Sequence, residues 1–398
     1  MSLENTPAAE RVHIGFFGMR NAGKSSLVNA VTNQAVSLVS DIKGTTTDPV
    51  RKTMELLPLG PVVIIDTPGF DDSGTLGEMR IRAAENILSS IHIAVLVIDG
   101  TLGMQEEDAA FLERLKARNI PYVVVKNKAD LAGTDASGTG MIAVSAKTGL
   151  GIEALKKRLG ELIPELKNER HIVSDLLQPG DLCVLVAPID ESAPKGRLIL
   201  PQQETLREIL DAHCLAAVCQ PAELPALLRR LNAAPKIVIT DSQAFAEVEK
   251  NTPADILLTS FSILFARYKG ELEPLVRGAK ALESLRDGDR VLISEGCTHH
   301  RQCMDIGTVK IPNWIAAFTG AKPDFRFTSG REFPETLDGY KVVIHCGGCM
   351  LSDPEMRARI RKAEECGVPI VNYGIAIAHM HGILKRCLSP FPALQSVI

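Results

Sequence analysis

The stretch GMRNAGKS, residues 18–25, constrains this chain more than any other. It follows the apolar run RVHIGFF and opens the segment SLVNAV, which has helical spacing. A glycine-rich turn between strand and helix that closes on Gly-Lys-Ser is a phosphate cradle. Backbone N–H groups surround the phosphates, Lys24 reaches the β and γ oxygens, and Ser25 ligates Mg²⁺. Gly18, Asn21, Ala22, Gly23, Lys24, Ser25 and Ser26 are therefore candidate nucleotide-binding residues. A loop of this kind works at the carboxyl end of a parallel strand, which commits the segment around it to an α/β fold.

The neighbouring sequence agrees. PVVIID, IAVLVID, YVVVKN and MIAVSA are short apolar runs of the kind buried on both faces of a parallel sheet. Helical patterns such as MQEEDAAFLERLKARN and GIEALKKRLGELI lie between them. The pattern predicts a doubly wound domain over residues 1–165, ending where PELKNERHIV turns charged.

Four further elements follow the phosphate loop in order. GTTTD at 44–48 offers Thr46 as a second protein ligand to Mg²⁺. DTPG at 66–69 ends a strand, so Asp66 is placed to hold the metal's water shell and the Gly69 N–H to reach the γ-phosphate. Lys24, Thr46, Asp66 and Gly69 are the candidate catalytic groups. NKAD at 127–130 brings Asn127, Lys128 and Asp130, and SAK at 145–147 brings Ser145, Ala146 and Lys147. The Asp130 carboxylate accepts from the N1–H and N2–H₂ of guanine, a donor pair that adenine lacks, so the nucleotide is GTP. The set resembles the translation-factor-like small GTPases, in particular the tRNA-modification and ribosome-assembly branch. That resemblance implies an activating K⁺ ion held with the help of Asn21. Phe70 stands where Ras-like enzymes place a water-orienting glutamine, and a phenyl ring cannot orient water. Intrinsic hydrolysis is therefore expected to be slow and to be helped by a monovalent cation or a partner. The branch usually reads GTTRD, and Thr47 replaces that arginine here.

Two more α/β segments follow. DLCVLVAPID, CLAAVCQ and KIVITD read as strands of a segment spanning 173–262, which carries no chemical motif and reads as a structural or dimerisation domain. DRVLISEGC, DFRFTSG, KVVIHCGGC and PIVNYG read as strands of a third segment, 265–398. The fold class expected is α/β in three domains: an N-terminal P-loop GTPase sheet, then two smaller parallel α/β domains. A net charge of −4 and 4% aromatics argue against a nucleic-acid partner. The absence of an apolar leader or a long apolar run argues against secretion and membrane insertion. Nine cysteines without a leader fit a reducing cytoplasm better than a disulfide framework.

Residues 1–182 contain no cysteine, so the thiols work outside the phosphate-loop domain. Cys183, Cys214 and Cys219 sit in apolar runs and read as buried small hydrophobes, as do the isolated Cys303, Cys366 and Cys387. His379 and His381 read as packing or surface residues. Cys346 and Cys349 differ: they lie three apart on a glycine-hinged turn, HCGGC, after a strand. Upstream, CTHHRQC ends its own strand, and 45 residues separate His299 from His345. Carboxyl-end loops of neighbouring strands converge, so Cys297, Cys346 and Cys349 are candidate metal ligands, with His299 and His345 either ligating or bonding to the sulfurs. Spacing alone leaves zinc and a [4Fe–4S] cluster open.

A GTPase, a motif-poor segment and CxH-x45-HCxxC together resemble the [FeFe]-hydrogenase maturation GTPases, over the whole chain. The resemblance implies a homodimer with a [4Fe–4S] cluster on Cys297, Cys346 and Cys349 and an open or exchangeable fourth site. It also implies a transient di-iron subcluster, made with the radical-SAM maturases HydE and HydG and handed to apo-[FeFe]-hydrogenase. The competing expectation is an RNA-modification or ribosome-assembly GTPase with a structural zinc.

Overall fold

The computed structural model describes residues 8–33, 50–69, 84, 87–132, 140–167, 170–189, 198–296 and 305–398. Chain contacts separate into two compact units, Met1–Glu169 and Arg170–Ile398.

The first unit is built on a six-stranded sheet ordered β2-β3-β1-β4-β5-β6. Its strands are β1 Val12–Phe17, β2 Val50–Leu56, β3 Gly60–Asp66, β4 Ile93–Asp99, β5 Tyr122–Asn127 and β6 Ile142–Ala143. All pairings are parallel except β2 on β3. Period-2 alternation sends alternate side chains to opposite faces, and both faces are apolar. Ile93, Val95 and Val97 of β4 join one core with Ile14 and Phe16. Ala94, Leu96 and Ile98 join the other with Phe17 and Phe111. That is the doubly wound arrangement expected from the near-continuous apolar runs. The antiparallel β2, VRKTMEL, was not foreseen: it lies at the sheet edge, carries charges and is largely exposed, so it lacks a core signature.

The second unit holds two four-stranded sheets, both wholly parallel. One is ordered β10-β9-β7-β8 and the other β12-β11-β13-β14. Their strands are β7 Leu182–Val186, β8 Leu215–Cys219, β9 Ile237–Thr240, β10 Leu257–Ser260, β11 Arg290–Ser294, β12 Asp324–Thr328, β13 Tyr340–His345 and β14 Ile370–Asn372. The fold class is thus the α/β architecture that the sequence predicts. The two sheets share one continuous core in which Val184, Val238 and Leu258 meet Val291, Val342 and Ile375.

The helix Phe261–Lys269 joins the sheets. Ile263 and Ala266 enter the shared core, while Phe261, Leu264 and Phe265 enter a second cluster with Ile239. A helix apolar on nearly all sides is a buried one. The Ser260 hydroxyl caps it by accepting from the Ile263 N–H at 3.3 Å. Its start sits against the helix Tyr373–Met380, where Asn372 Nδ2 donates to Ser262 O at 3.1 Å. No helix among the described residues is long and apolar enough to cross a membrane.

Candidate functional site

In the first unit the phosphate loop leaves β1 through Gly18, whose φ is 146°. A Cβ there would lie 2.2 Å from Val97 O, so only glycine lets the chain turn this close to β4. The loop ends at Gly23, where φ is 86° and a Cβ would meet Asn127 Nδ2 at 2.3 Å. The helix Lys24–Thr32 then begins with its N–H groups facing the loop. Lys24, only 7% exposed, donates from Nζ to Gly18 O at 2.9 Å and Met19 O at 2.8 Å. Its ammonium thus spans the loop mouth. Ser25 Oγ donates to Asp66 Oδ2 at 2.6 Å, which joins the hydroxyl and carboxylate expected at Mg²⁺. Hard oxygen donors of this kind suit that ion.

The base-side elements meet the same loop. Asn127 Nδ2 donates to Ala22 O at 2.9 Å, and its Oδ1 accepts from the Ala146 N–H at 3.2 Å. One side chain therefore ties NKAD to both the phosphate loop and SAK. Lys128, at φ 62°, pairs with Asp99 at 2.5 Å. Burial opposes the Asp99 charge, but the Lys128 ammonium and the Thr101 donors outweigh it and hold the carboxyl below its ordinary value. Ser145 Oγ donates to Asp130 Oδ1 at 2.7 Å, aligning an exposed carboxylate beside SAK. Asn21 is exposed at φ 62°, Ser26 lies in the first turn of the helix Lys24–Thr32, and Gly69 and Lys147 lie on the described segments that follow β3 and β6. Thr46 and Phe70 lie outside the described residues.

The HCGGC turn of the second unit follows β13. Gly348 adopts φ 64°, which folds the turn back on itself. Cys346 Sγ accepts from the Gly296 N–H at 2.9 Å and the Gly348 N–H at 3.4 Å. Gly296 follows β11, the neighbour of β13 in register Ser294↔His345. The residue before Cys297 therefore touches Cys346, although Cys297, His299 and Cys303 themselves lie outside the described residues. N–H groups aimed at sulfur and partly buried thiols are the donor set that metal–sulfur groups use. Among the described residues, no three His, Cys, Asp or Glu side chains gather into a metal site.

His345 is fully buried and is not free to ligate. Its Nε2 lies 3.0 Å from Arg359 Nη1 and its Nδ1 2.7 Å from Cys346 O. A guanidinium only donates, so Nε2 accepts and Nδ1 carries the proton. Of the cysteines expected in cores, Cys183, Cys214 and Cys387 are buried and Cys219 is half-buried. Cys366 is exposed, because it follows the helix Asp353–Glu365 at its solvent end. Four groups at this site went unnoticed in the sequence: Lys269, Glu295, Arg359 and Tyr373. Tyr373 donates to the buried Glu295 at 3.3 Å, and burial, then the nearby Cys346 and Glu295, push its hydroxyl far above its ordinary range. Arg359 had a signal: with Glu355, Met356, Ile360 and Ala363 it lies on the inward face of its helix.

Comparison with known families bears on the second unit directly. Residues 172–270 match the family model "Hydrogen maturase F dimerization domain", and residues 273–390 match "Hydrogen maturase F tetramerization domain". Together these cover more than half of the chain. The chain belongs to the hydrogen maturase F family. Both of the family's C-terminal domains are self-association domains, so self-association is a property of this chain. Residues 13–128 match the model "50S ribosome-binding GTPase", and the first unit of this maturase-family chain is a GTPase domain that takes GTP and Mg²⁺.

Among curated proteins, the tRNA modification GTPase MnmE of Laribacter hongkongensis (strain HLHK9) is 36% identical over 160 residues. The match covers 39% of this chain and 35% of that protein. MnmE of Shewanella baltica (strain OS155) is 37% identical over 164 residues, 39% of this chain and 36% of its own. The chain thus spans about a third of the length of the curated relatives it matches. Among solved structures, a point variant of Aquifex aeolicus Era bound to GDP.AlF4- shares 19% identity, with a TM-score of 0.34, over 56% of this chain and 98% of its own. A bacterial selenocysteine-specific elongation factor shares 20% identity over 40% of this chain and 30% of its own, with a TM-score of 0.33.

Proposed function

We propose that this chain is a GTP-hydrolysing scaffold that binds a [4Fe–4S] cluster and assembles and delivers the di-iron precursor of [FeFe]-hydrogenase. The observation that carries the reading is the Gly296 N–H bond to Cys346 Sγ, which joins the turn leading into Cys297 to the CxxC turn. Cys297, Cys346 and Cys349 would hold the cluster. Bound there, it supplies an iron with an exchangeable position, as a carrier needs: cargo must attach and later leave. The protein's own contribution is a fixed turn with N–H donors on sulfur and buried charge around it. We read the chain as three domains, 1–165 for GTP, 173–262 for dimerisation and 265–398 for the cluster.

In the GTPase domain Ser25 and Thr46 would hold Mg²⁺, which would supply positive charge against the phosphates. Lys24 neutralises the β and γ oxygens, Asp66 orients the metal's water shell, and the Gly69 N–H meets the γ-phosphate. Turnover is slow and aided by K⁺ near Asn21, so the nucleotide acts as a switch on partner association. The partners are HydE, HydG and apo-[FeFe]-hydrogenase, in the cytoplasm. The RNA-modification alternative draws only on the GTPase third of the chain, which the MnmE proteins share, whereas residues 172–390 match the maturase models.

The test is transfer. The anaerobically reconstituted chain, incubated with HydE, HydG and their substrates, re-isolated and mixed with apo-hydrogenase, should restore hydrogen evolution. The chain not exposed to the two maturases should not. Equal hydrogen evolution in both arms, or none in either, would contradict delivery.

A further inference from the structure

Two cations are buried against the HCGGC turn. Lys269, the last residue of its helix, is 2% exposed and donates from Nζ to Cys349 O at 3.0 Å and Leu351 O at 3.2 Å. Arg359, 4% exposed, donates to His345 Nε2 at 3.0 Å and Gly330 O at 2.8 Å, with Ser294 Oγ at 3.4 Å and Glu355 Oε1 at 3.2 Å. It also lies over the Phe333 ring. Through His345, whose Nδ1 is bonded to Cys346 O, the guanidinium reaches the first cysteine, and through a carbonyl the ammonium reaches the second.

Removing a charge from water is unfavourable, and buried ion pairs are often replaceable by apolar groups without loss of stability. Tying down carbonyls and an imidazole does not require two permanent charges, since neutral donors would serve. Both donors carry positive charge, part of it offset at Arg359 by Glu355, and that charge favours a negative group bound at the cysteines.

We propose that Lys269 and Arg359 are positioning residues of the CxxC turn, one cation to each cysteine. They fix its backbone before anything binds and raise the reduction potential of the anionic iron–sulfur group it carries. The second part rests on the cluster reading above. Reduction adds one negative charge, so a fixed positive charge beside the group favours the reduced form. Neither residue ligates; each acts through the turn.

The full-length chain is compared as wild type, Lys269→Met, Lys269→Arg and Arg359→Gln. After anaerobic reconstitution, an EPR-monitored redox titration should give more negative midpoint potentials for Lys269→Met and Arg359→Gln. Lys269→Arg should return toward wild type. In the metal-free chain, hydrogen exchange of peptides covering residues 346–352 should be several-fold faster in Lys269→Met, with the rest of the second unit unchanged. Wild-type potentials and wild-type exchange in both variants would overturn the proposal. So would faster exchange spread over the whole unit, which would mark the cations as general packing residues. A wild-type chain that takes up no iron would remove the cluster reading instead, and the exchange experiment would still decide the positioning claim.

Discussion

Asp130 shows how far single residues carry the account. Its carboxylate is braced by Ser145, and we propose that it accepts from the two donors of guanine. Asp130→Asn should weaken GTP roughly 100-fold, the worth of about 3 kcal/mol of charge-assisted hydrogen bonding, and improve binding of XTP. Competition with a fluorescent nucleotide measures both, and unchanged GTP affinity would refute the base assignment. Asn21 carries a second expectation. Hydrolysis should be faster in KCl than in NaCl at equal ionic strength, and Asn21→Ala should abolish the difference. The Asp99–Lys128 pair gives a pH expectation. The Asp99 pKa is lowered in the folded state, so its stabilisation is complete above the unfolded value of 3.8 and is lost as pH falls through the lower folded value. Urea unfolding of Asp99→Asn and wild type should therefore converge in acid and diverge above it. Motif residues were legible because phosphate and base recognition require fixed residue types at fixed spacing. Lys269 was not, because it is one charge inside a helical pattern whose burial only the tertiary packing reveals, and Arg359 was legible only as a charge on the inward face of its helix.

Elements were legible where periodicity was strong. β1, β4 and β13 announce themselves as apolar runs ending at a turn. LLTSFSILFARYK did not separate into β10 and the helix after it, because a continuous apolar run does not distinguish strand from buried helix. Yet that helix is the joint between the two sheets, and its contact with the helix Tyr373–Met380 depends on Gly374. A Cβ there would lie 1.9 Å from Ser262 Oγ and 2.7 Å from Ser242 Oγ. Gly374→Ala should therefore destabilise the second unit by about 1–3 kcal/mol through overpacking. Trp314, the single tryptophan, lies in that unit and reports its unfolding by fluorescence. Gly347→Ala, with no atom within 4 Å of its Cβ, should leave the urea midpoint nearly unchanged. Equal midpoints for the two variants would contradict the packing account.

Across the whole molecule, the phosphate loop and the thiols belong to different units, since the first cysteine is Cys183. Lys24→Ala should therefore abolish GTP hydrolysis and keep its iron. Loss of iron in a folded Lys24→Ala chain would contradict that separation. The α/β class was legible because both units repeat the strand–turn–helix pattern. The sharing of one core by the two C-terminal sheets was not, since contacts between distant segments leave no local periodicity. The central claim is that three cysteines on two converging strand ends hold one cluster. Iron content after anaerobic reconstitution, measured for single Cys→Ser variants, tests it most directly. Cys297→Ser, Cys346→Ser and Cys349→Ser should each lose most of the iron, while Cys183→Ser and Cys214→Ser should match wild type. Stoichiometric zinc without iron in the wild type, or iron uptake indifferent to those three cysteines, would contradict it.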